Sequence, residues 1–273
     1  MATISVIFTT YNSLDWLEKV IWGFSCQTLQ PDEIIIADDG STDETRVRID
    51  RLRTTTKLNI IHVWHEDEGF RKTLILNKAI VASTGDYLIF TDGDCIPRND
   101  FVATHMHYAE NGYLLSGGYF KLPKEVSTAI SKDDILNGSC FDVDWLKEHG
   151  LQKTYKTAKL SARGWQQRLL NAMTPTGATW NGHNASGWRS DIIAANGFDT
   201  RMQYGGEDRE LGERMFNMGI KAKQIRYSAV CVHLDHARGY VTQDALDKNR
   251  TIRDATHKNK STRTEFGIAE LDQ

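Results

Sequence analysis

The sequence predicts an α/β fold with a mostly parallel central sheet flanked by helices, and three observations carry that expectation. Strand-like and helix-like patterns alternate over the first 120 residues, the order that builds parallel sheets with helices on both faces. The strand runs are short and rich in β-branched residues, as in Ile34-Ile35-Ile36-Ala37, which suits strands buried on both faces. Clusters of hydroxyls and carboxylates follow these runs directly, at the rim where open α/β sheets bind ligands.

The first strand is Ile4 to Phe8. A helix follows, with Leu14, Leu17, Ile21 and Phe24 at helical spacing and Asn12 or Ser13 as its N-cap. Ile34 to Ala37 is the second strand, and Ser41-Thr42-Asp43-Glu44 has the Ser-x-x-Glu pattern of a capping box opening the second helix. Leu58 to Trp64 reads as the third strand, Leu74 to Ala82 as the third helix and Tyr87 to Phe90 as the fourth strand. Val102 to Ala109 continues as helix and Tyr113 to Tyr119 as another strand. From Val126 to Met173 the pattern turns helical and more polar. Within it, Leu151 to Leu170 holds Lys153, Lys156, Lys159, Arg163 and Arg168 and no acidic residue. With Tyr155, Leu160, Trp165, Leu169 and Leu170 interleaved, this stretch suits an anionic membrane surface or phosphates, or else a solvated helical connection with a basic face. Past Pro175 glycines accumulate at 177, 182, 187, 197, 205 and 206, which suggests loops crowded around a ligand. Roughly the last thirty residues are polar and charged and read as a helical or frayed tail.

The composition is that of an ordinary globular protein: 273 residues, 40% hydrophobic and 25% charged. A net charge of -3 argues against a dedicated nucleic-acid binder. Cys26, Cys95, Cys140 and Cys231 show no CxxC spacing, so free thiols are expected rather than a zinc site or a disulfide scaffold. Ile4 to Phe8 is too short for a signal-peptide core and lacks a basic start, and no apolar run approaches the roughly 20 residues that cross a bilayer. The expected location is cytoplasmic, with peripheral contact at the inner face of the cell membrane as an option.

The chemistry concentrates in a few clusters. Asp92-Gly93-Asp94 leaves the fourth strand with two carboxylates, the hard oxygen ligands that Mg²⁺ or Mn²⁺ share with substrate phosphates, although Asp and Gly also favour plain turns. Thr9 to Asn12 offers hydroxyls, an aromatic face and N–H groups at a helix start, where a base or a phosphate fits. Asp38-Asp39-Gly40-Ser41 can accept the imide N–H of a uracil or simply cap a helix. In His65 to Lys72, Arg71 or Lys72 can neutralise a diphosphate, or the stretch is a solvated charged turn. Gly205-Gly206-Glu207-Asp208 sets an acidic pair at a helix start, where one carboxylate can act as general base on a hydroxyl; helix-dipole complementarity favours acids there as well. Val230 to His236 ends an apolar strand with His233 and His236, either of which can complete a metal shell begun by Asp94.

Ser5-Val6-Ile7-Phe8-Thr9-Thr10-Tyr11-Asn12, Asp38 to Asp43 and Thr91-Asp92-Gly93-Asp94 together resemble the family 2 glycosyltransferases of the GT-A (Rossmann-like) fold. Trp188-Arg189, Asn196-Gly197-Phe198-Asp199, Gly205 to Asp208 and His233 resemble the galactosyltransferase-type C-terminal module of chondroitin-polymerase-like enzymes. The resemblance implies that Thr9, Tyr11 and Asp39 hold uridine, with Asp39 on the uracil ring, and that Arg71 supports the base or the diphosphate. It implies that Asp92 contacts the ribose or the metal and that Asp94 and His233 ligate Mn²⁺ or Mg²⁺, with His236 in reserve. It further implies Asp208 as catalytic base, Glu207 on a sugar and Trp188 as an apolar platform. Gln203-Tyr204 replaces the family's usual Trp-Gly, which bears on sugar choice, and the stretch Asn181-Gly182-His183-Asn184 leaves open which group lines the donor pocket.

The expected organisation is a nucleotide-sugar-binding half at 1–120, a helical basic connection at 121–175, a smaller acceptor and catalytic half at 176–245 and a tail at 246–273. The expected reaction is an inverting, metal-dependent transfer of a hexose or N-acetylhexosamine from a UDP-sugar to a glycan or lipid-linked glycan acceptor in surface polysaccharide or lipopolysaccharide synthesis. A nucleotidyltransferase would want a Gly-rich basic signature after the first strand, which Thr9 to Asn12 lacks. A catalytically silent sugar-nucleotide-binding or glycan-binding module would have no need of Asp94, Asp208 and His233 together.

Overall fold

Every residue of Glu33–Asp38 is buried, as expected of a strand with a helix on each face. In the protein, described here by a computed structural model over residues 2–236 and 241–271, this is β2. The other strands are β1 (Ile4–Thr10), β3 (Ile60–Trp64), β4 (Tyr87–Asp92), β5 (Cys95–Pro97), β6 (Tyr113–Ser116), β7 (Gly118–Lys121), β8 (Asn184–Trp188), β9 (Lys221–Gln224) and β10 (Val230–His233). The main sheet runs β3-β2-β1-β4-β8-β6-β9; it is parallel except that β8 lies antiparallel between β4 and β6. Strand alternation sorts the residues into two cores. Val6, Phe8, Ile34, Ile36 and Ile89 pack with Leu17, Val20, Ile21 and Phe24 of the helix Leu14–Ser25. Ile7, Ile35, Ala37, Leu88 and Phe90 pack on the other face with Ile75, Leu76, Ala79 and Ile80 of the helix Lys72–Ala82.

A small sheet, β5-β10-β7, stands beside the main one over a third core that includes Phe120, Val126, Leu146 and Val232. The chain enters it three times, as β5, β7 and β10. The expected strand from Tyr113 to Tyr119 is in fact two strands, β6 in the main sheet and β7 in the small one, parted at Gly117. A Cβ on Gly117 would lie 2.0 Å from Asn184 Oδ1, so only glycine fits at the crossing. Asn184 joins the sheets: its Nδ2 donates to the carbonyls of Gly118 (2.9 Å) and Ala229 (3.0 Å), and its Oδ1 lies 3.0 Å from His105 Nε2. Asn184→Ala removes the amide donor from two buried carbonyls and the acceptor from His105, and is expected to lower stability by about 3 kcal/mol. An unchanged denaturant midpoint would show that the junction does not depend on it.

Several local expectations change. The third strand starts at Ile60 rather than Leu58, and the third helix at Lys72 rather than Leu74. The capping box at Ser41 does not form, because the loop after β1 claims that hydroxyl: Asn12 N–H donates to Ser41 Oγ at 2.8 Å, and Thr42 becomes an N-cap without a side-chain bond. The stretch Leu151 to Leu170 is not one helix. It breaks into the short turns Tyr155–Thr157 and Ala158–Ser161 and the helix Trp165–Ala172, interrupted by Gly164 at φ 58°.

The C-terminal stretch is built into the fold through the helix Gln243–Asn259, which packs on the helix Glu207–Asn217. Its Asn249 Nδ2 donates to the carbonyls of Gln203, Tyr204 and Gly205 at 2.9, 3.2 and 3.1 Å. This contact explains the glycine pair, read from sequence as room for a ligand. Gly205 (φ 110°) and Gly206 (φ 95°) are left-handed, and a Cβ on Gly205 would lie 2.3 Å from Leu246 Cδ2. The room is taken by the protein's own helix.

Candidate active site

The parallel strands β1, β2 and β4 end on one edge, and register places their polar ends side by side: Thr10 opposite Asp38, Thr9 opposite Asp92. Gly93 N–H then donates to the Thr9 carbonyl at 3.0 Å, and a Cβ on Gly93 would lie 2.3 Å from that oxygen. Glycine therefore lets Asp92 and Asp94 leave the sheet on either side of a backbone contact. Beyond this edge opens a cavity of about 740 Å³, whose walls include Thr9, Tyr11, Asp39, Lys72, Asp92, Asp94, His183, Glu207, Asp208, His233 and His236.

At one end Asp39 is oriented from two sides: His65 Nε2 lies 2.7 Å from Oδ1, and Arg71 N–H donates to Oδ2 at 3.0 Å. Asp39 is thus held by the segment after β3 and does not cap the following helix. Tyr11 is half exposed at the rim and donates its hydroxyl to Asp67 at 2.9 Å. Phe70 and Tyr204 meet edge to face, ring centroids 6.4 Å apart, and both line the cavity. Tyr204, which departs from the family's usual residue, is therefore a wall of the site.

At the other end Asp94 faces imidazoles. His236 Nε2 is 2.8 Å and His233 Nε2 is 3.7 Å from Asp94 Oδ2, and the two rings stack at 5.5 Å. Antiparallel pairing of β10 with β5 sets His233 opposite Cys95, so this centre lies where the two sheets meet. Ligand atoms of Asp94, Cys95 and His233 lie within 4.8 Å of one another. Burial pushes the Cys95 thiol far up, with Cys231, Asp94 and Asp92 adding to it, which favours carboxylate and imidazole over the thiol as donors. Buried His233 Nδ1 has no hydrogen-bond partner among the described residues. This oxygen and nitrogen set fits Mn²⁺, and Mg²⁺ through its carboxylate. Asp92, also expected near a metal, is outside the group and is bound by Lys72 Nζ at 3.1 Å.

Between the two ends lies a charge cluster. Burial works against the Lys72 ammonium, but Asp92, Asp208 and Glu207 outweigh it and hold its pKa well above the usual lysine value. Burial would raise Asp92, yet the Lys72 charge, with help from His183, keeps it below the ordinary carboxylate range. Asp208 goes the other way: burial, then the neighbouring Glu207 charge, push it up to about 7, against the pull of Lys72. The dipole at the start of the helix Glu207–Asn217 does not prevail over burial. Glu207 bends back and accepts Gly205 N–H at 2.8 Å, whereas Asp208 Oδ1 is buried without a partner among the described residues. Gly182 lies against that carboxylate; a Cβ there would be 2.7 Å from Asp208 Oδ2. His183, next in the chain, is held near pKa 4 by burial, so a neutral imidazole lines the cavity.

Two expected site residues are not brought here. Trp188 pairs with Tyr87 at the start of β4, because β8 runs antiparallel; its ring packs on Tyr87 at 5.2 Å at the opposite end of the strand from Asp92. Half-buried, it packs against the core and does not line the cavity, so it is no sugar platform there. The Arg71 guanidinium folds onto its own turn, against Glu68 and the Glu66 carbonyl at 2.6 Å each, and does not line the cavity. Lys72, the first residue of its helix, takes the inward position instead. Lys72 was legible as a basic residue after the third strand, but its direction was not. His183 carried no motif.

Comparison with known proteins agrees with this geometry. The pattern of "Glycosyl transferase family 2" matches residues 5–170, more than half of the chain. An uncharacterized glycosyltransferase, YfnE of Bacillus subtilis, is 25% identical over 90% of this chain and 68% of its own length. Chondroitin synthase of Escherichia coli is 24% identical over 91% of this chain, which spans only 37% of that enzyme. Glucosyl-3-phosphoglycerate synthase of Mycobacterium tuberculosis, solved with Mn²⁺, UDP and phosphoglyceric acid, superposes with a TM-score of 0.55 at 20% identity, covering 97% of this chain and 80% of that one. With the strand-end carboxylates and the fold in agreement, the chain belongs to the family 2 glycosyltransferases and carries their GT-A fold.

Proposed function

We propose that the protein transfers a hexose or N-acetylhexosamine from a UDP-sugar to a sugar hydroxyl with inversion at C1, in surface polysaccharide or lipopolysaccharide synthesis. The observation that carries this reading is Asp208 Oδ1, a buried carboxylate oxygen with no partner among the described residues, in one cavity with Asp39 and Asp94. Thr9, Tyr11 and Asp39 would hold the uridine, with Asp39 accepting the uracil imide N–H. Asp94 and His233, with His236 alongside, would hold Mn²⁺ or Mg²⁺, which when bound neutralises charge gathering on the diphosphate. Lys72 takes the role first assigned to Arg71, a fixed cation between the strand end and the acidic pair. Asp208 Oδ1 accepts the proton of the acceptor hydroxyl as the hydroxyl oxygen bonds to C1; the C1–O bond to the diphosphate breaks and its electron pair leaves with UDP. Glu207 orients a sugar, and residues 1–120 and 176–245 supply mainly the donor and acceptor sides.

UDP release, measured across UDP-sugars and GDP-mannose with and without Mn²⁺ and a glycan acceptor, tests the reading. One UDP-sugar is expected to turn over, and its α-linked donor to give a β-linked product in the NMR anomeric coupling. An α-linked product, or turnover of the GDP-sugar alone, overturns it.

A further inference from the structure

We infer that the outward face of the helix Trp165–Ala172, with the turn around Tyr155, docks on an anionic lipid surface. This helix is inside out for a water-facing element. Trp165, Leu169 and Met173, spaced by four on one stripe, are 72, 48 and 67% exposed, and nearby Tyr155 is 87% exposed. The face turned to the protein is mostly polar, with Gln167 and Asn171 beside the half-buried Leu170: Asn171 Oδ1 accepts Tyr227 N–H at 2.9 Å, and Asn171 Nδ2 donates to Ser228 Oγ at 2.9 Å. No residue of the helix is buried, whereas a soluble amphipathic helix turns its apolar stripe inward. Interfacial helices have this arrangement, with Trp and Tyr at headgroup level and basic groups around them.

Charge selects the occupant. Exposed Arg168 lies beside the apolar stripe, exposed Lys153 and Lys156 flank Tyr155, and no Asp or Glu occurs from His149 to Ser190, in a chain whose net charge is -3. A second copy docking by the same face would bring these cations against each other, because a two-fold interface pairs a patch with itself. Anionic headgroups meet both the cations and the apolar stripe. The segment is fastened to the cavity wall, since Lys159 Nζ donates to the carbonyl of Tyr119, a lining residue, at 2.9 Å. The inference goes beyond the proposed reaction and does not depend on its donor or acceptor.

Sedimentation of the full chain with vesicles tests it. Mixed phosphatidylcholine–phosphatidylglycerol vesicles at low salt should carry the protein down, and phosphatidylcholine alone should not. K153Q/K156Q/R168Q is expected to lower the partition coefficient on the order of 100-fold, about five-fold for each basic group at such a surface. W165S/L169S/M173S should abolish sedimentation, with the circular dichroism of both variants unchanged; each variant is read separately, so a folding defect in one leaves the other decisive. Absence of wild-type binding, equal binding to neutral vesicles, full binding by a folded variant, or a dimer that the variants dissociate overturns the proposal.

Discussion

Asp208→Asn is expected to lower kcat by about 10²–10⁴-fold, the range of general-base loss, while the donor Kd stays where it was. Asparagine keeps the shape beside Gly182 and the helix start but cannot take a proton. The nucleotide end of the cavity, around Asp39 and Tyr11, is untouched. The wild-type pH profile should carry the same signature. With Asp208 pushed up to about 7 by burial and Glu207, the base is protonated and idle below that pH, so turnover climbs through pH 7 and levels above it. The sign for stability is opposite. A carboxyl raised in the folded state favours folding most when protonated, and that contribution fades as pH rises from about 4, its ordinary value, through about 7. Asp208→Asn should therefore not lower the Tm at pH 8, which separates loss of a base from loss of fold. Glu207→Gln weakens the turn at Gly205, removes one charge that raises Asp208 and alters a sugar contact, but leaves the base in place and should cost less. Near-normal kcat in Asp208→Asn with a dead Glu207→Gln would exchange the two roles.

Asp94→Ala is expected to lower transfer by about 10²–10³-fold, because charge stabilisation by a bound divalent ion amounts to several kcal/mol. Wild-type enzyme in EDTA should fall to a similar level, and adding Mn²⁺ should restore the wild type and not the variant. Calorimetric titration with Mn²⁺ gives a readout apart from turnover: binding should vanish in Asp94→Ala and weaken in His233→Ala. Full activity of Asp94→Ala in EDTA would remove the metal from the reaction altogether.

Strand ends were the legible part of this protein. Continuous apolar runs specified β1, β2 and β4, and because parallel strands end on one edge, the carboxylates after them had to converge; Asp39, Asp92 and Asp94 line one cavity for that reason. The acidic pair after Gly205-Gly206 also marked the start of the helix Glu207–Asn217. Direction and long-range fit were not legible. Trp188 packs against the core away from the cavity because β8 enters the sheet antiparallel, and a run of five residues does not reveal which way it will point. Gly205-Gly206 looked like space for a ligand, but the space is taken by Leu246 and Arg253 of a helix some forty residues on. Lys72 rather than Arg71 enters the cavity because a helix begins between them, a boundary that propensity locates only to within a few residues. The ionisation of Asp208 depends on burial by residues distant in the chain, and only the folded molecule brings Lys72, Asp92 and Asp208 into one low-dielectric space where their charges set each other's pKa.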